Sequence, residues 1–462
     1  MLARTHHKAK AKQEQALAVV NELWEIEVVP QLPADLEAQA KKHKAFQRQR
    51  EVANAYDLLR AILGYVLGGL SSRQWGAWAV VIDLADISDR AWSKRLQKSG
   101  AWLLWLFGEL TVIEAGAAAL LGSAASRVLL VDASSLKQVG GCGDDWRLHT
   151  AYDLMAGRLA QVVVTDQSQG EKLGHFELKR GDIVVGDGGY GYRSSVAVVK
   201  QKQADGVFRI HPDTFPLEDK FGQPLDLWPL LRKTKGAQIW ERQAYCVDRQ
   251  QRYPVRVIAC KLPPEQAGLA RKRAEKRAQK KGRPVSLKSL VLAGWLLLIT
   301  TLAATDWPAP DVLRLYRVRW QIELLFKRIK QMLDMHQIQC KRPDSVQATV
   351  RALLVAWGLQ EQQAAQIRST LEHLVRTALT GQLLDPQPTR PVSSWSVAKL
   401  CLQTLRQQVL GHWSMARLRA CLPRLQRFLT SKRRPQGHQE TDIRHWLQRR
   451  SLDHSLPLHR AA

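Results

Sequence analysis

The chain has 462 residues, which exceeds the size of one ordinary hydrophobic core and predicts two to four domains. Lys and Arg number 69 against 42 Asp and Glu, so the formal net charge is +27 and a polyanionic partner is expected. The composition is 45% hydrophobic and 24% charged, which excludes collagen-like, low-complexity and wholly disordered chains.

The sequence shows neither a membrane span nor a secretory signal. Its longest apolar run, residues 290–304, is shorter than the roughly 20 residues that a spanning helix needs. The first residues contain no apolar stretch followed by a small-residue cleavage site. The six cysteines lie far apart without a C-x-x-C pair, which argues against a zinc site and a disulfide framework. We therefore expect a cytoplasmic protein with reduced cysteines and no membrane partner.

Residues 1–125 are predicted to form a helical DNA-binding region. Segments such as 53–70 repeat apolar residues at helical spacing, with little alternation of the kind that strands show. Ser88 and Asp89 are candidate N-cap residues for a helix that brings Lys94, Arg95 and Lys98 close together. Such a cationic helix suits a DNA groove, and it is equally typical of a solvated helix face.

Strand signals begin at Arg127. Three apolar strands are predicted over 127–133, 145–155 and 157–166, followed by a helix around 170–178. A short strand over 182–187, a helix over 193–203 and a strand over 206–211 come next. The order β-β-β-α-β-α-β predicts that residues 126–211 form the first part of an α/β layer.

The remaining chain is predicted to contain an insertion and two helical parts. Residues 212–305 contain Pro, Gly and short β-like pieces, which indicate a β-rich insertion that interrupts the α/β layer. Its charge run, residues 271–283, is typical of a solvated or disordered loop, and alternatively suits contact with a phosphate backbone. Residues 306–345 contain a helix that belongs to the core, and residues 346–462 form a helical C-terminal region that is a candidate for dimerisation.

Two carboxylates come at the ends of apolar strands. Asp132 ends the strand LLVDA, and Asp187 ends the strand IVVGD before a glycine-rich turn. A carboxylate in this position is held rigidly at the rim of a sheet, where it can bind a hard cation. The alternative is an ordinary Asp that begins a turn.

A third carboxylate, Glu323, lies in a segment with helical spacing. At about 100° per residue, Tyr316, Arg319, Glu323 and Lys330 fall within an arc of about 60° on one helix. This stripe borders the predicted core face, which consists of Val318, Ile322, Leu325, Ile329 and Leu333. An acid there is held by packing, and its cationic neighbours can bind phosphates. The alternative is an i, i+4 salt bridge between Arg319 and Glu323 on a helix surface.

The three acids and their cationic neighbours suit one class of chemistry. In two-metal phosphoryl transfer, two Mg²⁺ ions about 3.5 to 4 Å apart activate the attacking oxygen and stabilise the leaving oxygen. Mn²⁺ is a further candidate ion. The net charge of +27 makes DNA or RNA the expected substrate.

The same residues carry a resemblance to a known family. Tyr316, Arg319, Glu323 and Lys330 match Y-x2-R-x3-E-x6-K, which resembles the signature of DDE transposases of the insertion-sequence-four (IS-four) family. The segments around Asp132 and Asp187 are similar to that family's first and second acidic motifs, in the right order. Over residues 127–335 the resemblance implies an α/β ribonuclease-H-like catalytic core with a β-rich insertion, flanked by helical N-terminal and C-terminal regions.

The resemblance also implies roles for individual residues. Asp132, Asp187 and Glu323 are implied as the metal-binding triad, while Tyr316, Arg319 and Lys330 are implied as phosphate ligands. Trp295, 28 residues before Glu323, is similar in placement to a Trp on which some members stack a flipped base. The alternative for Trp295 is a core aromatic, because it lies in an apolar run.

The expected function is a DNA transposase that binds terminal inverted repeats, cleaves them and joins the freed 3′-hydroxyl to target DNA. Its implied partners are double-stranded DNA, as transposon ends and target, and a second copy of the chain in a synaptic homodimer. The resemblance also implies that the protein is bacterial and that it is associated with the nucleoid when it is bound to DNA. Two alternatives stay open: a metal-dependent nuclease without strand transfer, and a catalytically silent DNA-binding repressor, against which the presence of all three acids argues.

Overall fold

The computed structural model describes most of the chain, and the helices and strands below lie within that part. The described ranges are 22–111, 127–138, 146–156, 158–211, 214–234, 239–280, 282–320, 323, 329–335, 338–380 and 393–429. None of the helices within these ranges has the length and hydrophobicity that a membrane span requires. The described cysteines are free thiols, namely Cys246, Cys260, Cys340, Cys401 and Cys421.

The described N-terminal residues are helical, as the apolar spacing predicts. After a π-helical turn at Trp24–Val28 come helices α1 (Leu36–Lys42), α2 (Ala55–Leu67), α3 (Ser72–Val81), α4 (Asp89–Lys98) and α5 (Gly100–Leu110). The predicted cap of α4 is confirmed, because Ser88 Oγ accepts a hydrogen bond from the Ala91 backbone N–H at 3.2 Å. Stacked rings of Tyr65, Trp75 and Trp92 fill the core between α2, α3 and α4.

A single mixed sheet of eight strands forms the centre of the described molecule. The strands are β1 (Val128–Leu136), β2 (Trp146–Asp153), β3 (Arg158–Asp166), β4 (Ile183–Gly186), β5 (Asp205–Arg209), β6 (Ile239–Asp248), β7 (Gln251–Lys261) and β8 (Trp295–Thr300). Their order in the sheet is β3-β2-β1-β4-β5-β8-β7-β6. Strands β1, β4 and β5 are parallel, and the other neighbouring pairs are antiparallel. The predicted α/β character is confirmed.

The insertion differs from the expectation that it interrupts the α/β layer. Strand β8 pairs with β5, with Arg209 opposite Leu298, and β7 and β6 continue the same sheet outwards. Strand β8 is apolar except for its last residue, Thr300, and almost wholly buried, as is typical of a central strand with both faces covered. The insertion therefore extends the sheet, and helices α7 (Leu227–Lys233) and α9 (Leu287–Leu292) accompany its strands.

Two local predictions are wrong. The charge run does not form a loop but most of helix α8 (Pro264–Lys280), because Ala, Arg, Lys, Glu and Gln are strong helix formers. The helix expected around 170–178 is only a 3-10 turn at Leu173–His175, since Gly170 and Gly174 disfavour a longer helix. The helix predicted over 193–203 is confirmed as α6 (Arg193–Gln201).

The C-terminal region is helical where it is described, and it packs back onto the N-terminal helices. Helix α10 (Ala309–Val318) precedes α11 (Pro343–Thr380), α12 (Ser394–Leu410) and α13 (Met415–Leu429). Helix α13 lies on α3, where Arg417 and Arg424 form salt bridges with Asp83 and Arg424 also pairs with Asp86. The assignment of this region to dimerisation stays a prediction.

The contact between α13 and α3 depends on a glycine. A Cβ atom at Gly76 would lie 2.4 Å from the Phe428 ring, so the ring or helix α13 must move if Gly76 is replaced. We expect Gly76→Ala to lower the free energy of unfolding by about 1 to 3 kcal/mol in urea titrations. Gly108→Ala is the matched control, because a methyl group added at Gly108 would meet no atom within 4 Å and alanine favours a helix. Equal stability of the two variants would contradict the close packing.

Candidate active site

The parallel strands bring three charged residues to one edge of the sheet. Val131 of β1 is in register with Gly186 of β4, and Gly186 is in register with Phe208 of β5. The next residues along these strands are Asp132, Asp187 and Arg209. Because neighbouring strands lie about 4.8 Å apart, these three residues are direct neighbours across the sheet. The strand ends thus join the two predicted acids and add a cation beside them.

The two aspartates influence each other electrostatically. Burial, followed by the negative charge of Asp187, raises the pKa of Asp132 to about 7, although a hydrogen bond from the Ala133 backbone N–H opposes the shift. The Asp187 carboxylate accepts a hydrogen bond from the Gly189 backbone N–H at 2.9 Å. Two carboxylates held this close favour a bound cation, which would offset their repulsion.

A cavity of about 530 Å³ opens at this edge of the sheet. Five of the seven predicted site residues line it, namely Asp187, Trp295, Tyr316, Arg319 and Glu323. Asp132 lies beside Asp187 at the strand ends, and the charges of Arg319 and Glu323 also act on its carboxyl group. The three acids, although widely separated in the sequence, therefore face one region of the protein.

The Arg319 side chain has both a partner and unused donors. Its Nη2 forms a salt bridge with Glu323 Oε1 at 2.7 Å, so the predicted i, i+4 pair is present. The side chain is only 14% exposed, and its Nε and Nη1 atoms have no hydrogen-bond partner. The buried hydroxyl of Tyr316 likewise has no hydrogen-bond partner of normal geometry. Since buried donors without acceptors are costly, these groups fit a ligand rich in oxygen, such as a phosphate.

The helix wheel that predicted the stripe assumed one continuous helix, and the backbone at Arg319 is helical (φ −49°, ψ −33°) although α10 ends just before it. Helix α10 ends at Val318, and the Arg319 backbone N–H bonds to the Tyr316 carbonyl in a tighter turn. Ile329 and Leu333 are buried as predicted, whereas Ile322 and Leu325 lie outside the described residues. The functional side chains still meet at the cavity, because the chain stays helical at Glu323 beyond the turn.

Lys330 and Trp295 lie at the margins of the site. Lys330 Nζ donates a hydrogen bond to Ser134 Oγ at 2.5 Å, and Ser134 follows Asp132 by two residues on β1. Trp295 begins strand β8, is 6% exposed and packs in the apolar cluster that contains Phe208 while also lining the cavity. Both interpretations of Trp295, core aromatic and stacking platform, are compatible with this position, so its role stays a prediction.

The sequence patterns did not single out two neighbours of the acids, Arg209 and Glu171. Arg209 lines the cavity together with Arg273 and Arg277 of the charge run. Glu171 approaches the turn after Asp187 so closely that a Cβ at Gly189 would lie 1.5 Å from its carboxylate. Burial and the charge of Asp187 raise the pKa of Glu171. Arg209 carried a usable signal, because it ends an apolar parallel strand just as the two aspartates do, but the loop position of Glu171 gave none.

The donor set is chemically suited to a divalent cation. Within the described residues, no three His, Cys, Asp or Glu side chains stand close enough together to hold one metal ion as they lie. Asp132 and Asp187 are adjacent, and the Glu323 carboxylate is engaged by Arg319. An all-carboxylate set fits hard ions such as Mg²⁺, and the crowding of Asp132 against Asp187 supplies the electrostatic reason for one to bind.

The raised pKa of Asp132 predicts how the metal-free protein responds to pH. The folded carboxyl keeps its proton to a higher pH than the unfolded one, so stability falls as the pH rises from 3.8 to about 7. We expect Asp132→Asn to raise the free energy of unfolding at pH 8 in EDTA by about 1 to 2 kcal/mol, with little change at pH 4. Urea titrations at both pH values measure the difference.

Asp182→Asn serves as the contrasting variant in the same titrations. The Asp182 carboxylate accepts two hydrogen bonds from Arg127, at 2.9 and 2.6 Å, and is almost fully buried. Its replacement should destabilise the protein at pH 8, because one partner of a buried ion pair is removed. A loss of stability on Asp132→Asn at pH 8 would show that Asp132 is not electrostatically strained.

Comparisons with known proteins identify the family. The model of the transposase DDE domain matches residues 123–359, just over half of the chain. The protein InsL for insertion sequence element IS186A of Escherichia coli (strain K12) is 32% identical to this chain over 330 residues. The match covers 70% of this chain and 89% of the length of InsL. The transposase for insertion sequence element IS421 of Escherichia coli is 32% identical over 331 residues, with the same shares of both chains.

A more distant relative extends the match to another bacterium. The transposase for insertion sequence element IS231D of Bacillus thuringiensis subsp. finitimus is 26% identical over 261 residues, 51% of this chain and 53% of its own length. The family model includes both strand-end aspartates and the helical segment with Glu323. The chain therefore belongs to the DDE transposase family, as a DNA-cleaving and strand-transferring enzyme of the insertion-sequence-four type.

Proposed function

We propose that this transposase cleaves terminal inverted repeats at the cavity and joins the freed 3′-hydroxyl to target DNA, with Asp132, Asp187 and Glu323 holding two Mg²⁺ ions. Mn²⁺ fits the same oxygen ligands. When bound, the two ions activate the attacking oxygen and stabilise the leaving oxygen. The observation that carries the proposal is the pair of neighbouring strand-end aspartates, of which Asp187 shares with Glu323 a cavity that also contains unpaired guanidinium donors.

The topology supports a ribonuclease-H-like core. Strands β3, β2 and β1 are antiparallel neighbours, and β1, β4 and β5 are parallel, in the order β3-β2-β1-β4-β5. Strands β8, β7 and β6 extend this part of the sheet. The first two acids then belong to adjacent parallel strands and the third to a helical segment.

The protein's own side chains position the DNA. The free Nε and Nη1 atoms of Arg319 and the Tyr316 hydroxyl bind a phosphate next to the acids. A phosphate bound to the Arg319 guanidinium competes with Glu323 for the positive charge of Arg319. This competition weakens the ion pair between Arg319 and Glu323. Lys330 adds a positive charge beside Asp132 through its contact with Ser134. The indole of Trp295 offers an aromatic face in the cavity wall for an extruded base.

Recognition of the transposon ends is assigned to the N-terminal helices. On α4, the side chains of Arg90, Lys94 and Lys98 are exposed and lie four residues apart, so they form one cationic row. Such a row suits the phosphates that border a DNA groove. Two ends must be processed together, so a homodimer is proposed for the synaptic complex.

Strand joining distinguishes this function from hydrolysis alone. A labelled terminal-repeat duplex with a pre-cleaved 3′-hydroxyl is incubated with target DNA and Mg²⁺, and covalent joining to the target is scored on a denaturing gel. Joined product is expected with the wild type. Nicking without joining would favour a nuclease. If the wild type and Asp187→Ala cut the uncleaved repeat equally poorly, the chain would be a silent DNA-binding repressor.

A further inference from the structure

Helix α8 forms part of the cavity wall, although only one of its residues is buried. Arg273 and Arg277 line the cavity together with Ala270 and Ala274. The buried residue of the helix is Ala267. The alanine side of α8 therefore faces the protein, and the two arginines line the same cavity as Asp187 and Glu323.

The charge of α8 is unbalanced. It carries six basic side chains, namely Arg271, Lys272, Arg273, Lys276, Arg277 and Lys280, against two acidic ones. Among the residues that the structure describes, Arg273 and Arg277 form neither a salt bridge nor a side-chain hydrogen bond. Both cations stand beside a cavity that contains Asp187 and Glu323. The two arginines can therefore bind an anion at a cavity whose acids would otherwise repel that anion.

Arg271 has a different role, because it attaches α8 to the protein. Its Nε donates a hydrogen bond to the Leu290 carbonyl at 3.3 Å, in helix α9. Its Nη2 lies over Gly294, where a Cβ atom would approach it to 3.2 Å. Gly294 directly precedes Trp295, so this contact fixes the position of α8 relative to the cavity wall.

We propose that Arg273 and Arg277 bind backbone phosphates of the DNA strand that reaches the carboxylates, which makes α8 a DNA-binding element of the active site. The inference rests on the proposed function, because it takes the cavity as the place of cleavage. Residues four apart on a helix lie on the same side, so both guanidinium groups can follow one strand. Their charges offset the repulsion between the phosphodiester and the acids, and arginine binds phosphate oxygens in a bidentate manner.

The test compares two double variants of the same helix. R273Q/R277Q removes the two charges at the cavity, and K272Q/K276Q removes two exposed charges that do not line it, while glutamine preserves helix propensity in both. Binding of a terminal-repeat duplex is titrated between 50 and 200 mM salt, and circular dichroism confirms folding. The slope of log K against log salt should fall by about 2 for R273Q/R277Q. It should fall by less than 1 for K272Q/K276Q.

A neutral phosphate identifies the contact in the DNA. Methylphosphonates are placed singly at each position next to the outer end of the terminal repeat, and the affinity of each duplex is measured. In the wild type, and in K272Q/K276Q, one or two positions should weaken binding by about tenfold at low salt. In R273Q/R277Q the same positions should have no further effect, because the cations that read them are absent.

The outcomes separate this inference from the proposed function. If the wild type fails to cleave, the proposed function fails, while the methylphosphonate pattern still decides whether α8 binds DNA. If R273Q/R277Q keeps the wild-type methylphosphonate pattern, or if both double variants lose the same salt dependence, then α8 contributes only diffuse charge and the inference is overturned. Loss of the pattern in R273Q/R277Q alone supports it.

Discussion

Asp187→Ala is expected to slow cleavage of terminal-repeat DNA by at least about 10³-fold, while the Kd for that DNA stays within about threefold of the wild type. Asp187 lines the cavity and lies next to Asp132. Its replacement removes one of the three carboxylates that are proposed to bind the metal ions. The groups proposed to grip phosphates are Arg and Lys side chains, which the substitution leaves in place. Single-turnover cleavage of a labelled duplex and gel-shift titration measure the two quantities separately.

Asp166→Ala is the matched control for this prediction. Asp166 ends strand β3 of the same sheet, but its carboxylate is exposed and bonds to the backbone and hydroxyl of Ser168. Its replacement should leave the cleavage rate within about twofold, as is usual for a surface position. A cleavage rate of Asp187→Ala within tenfold of the wild type would contradict the assignment of Asp187.

Arg319→Lys is expected to reduce cleavage by about 10²-fold, even though the charge is retained. The guanidinium binds Glu323 with one nitrogen and has two further nitrogens unpaired, a fork that a lysine ammonium cannot reproduce. If Arg319 served only as the salt-bridge partner of Glu323, lysine would preserve most of the activity. Cleavage rates and Kd values of Arg319→Lys and Arg319→Gln distinguish the two roles.

Arg314→Lys provides the control on helix α10, which ends directly before Arg319. Arg314 pairs with Asp311 at 3.0 Å, and its side chain is 78% exposed, so lysine should replace it with little effect on rate or affinity. Equal losses in Arg314→Lys and Arg319→Lys would show that this part of the chain is sensitive to any change of its arginines. Such a result would remove the specific role of the Arg319 donors.

The parts of the site that the sequence predicted are those with a local signature. Apolar strands that end in Asp132 and Asp187 are visible in the sequence, and parallel pairing then places the two acids side by side. Glu323 was found because helical spacing put it near Arg319, and the salt bridge between them follows from that spacing. The turn at Arg319 was not predictable, since neither Gly nor Pro lies near it.

The parts that the sequence did not predict depend on long-range pairing or on competing local tendencies. The position of β8 beside β5 joins residues about ninety positions apart, so no local pattern could show that the insertion extends the sheet. In α8, the density of like charges suggested a loop, whereas the helix propensity of its Ala, Arg, Lys and Gln residues prevails. Contact with a phosphate backbone was one interpretation of this charge run, but only the fold shows that Arg273 and Arg277 lie on the cavity wall.

The central claim is that Asp132, Asp187 and Glu323 bind divalent ions together at the phosphodiester that is cut. Anomalous scattering from Mn²⁺ in crystals of the protein with a terminal-repeat duplex tests it most directly. We predict two manganese peaks about 3.5 to 4 Å apart, with oxygen ligands from all three carboxylates and from the scissile phosphate. Manganese bound away from Asp132 and Asp187, or a Glu323 carboxylate that stays on Arg319 without contacting either ion, would contradict it.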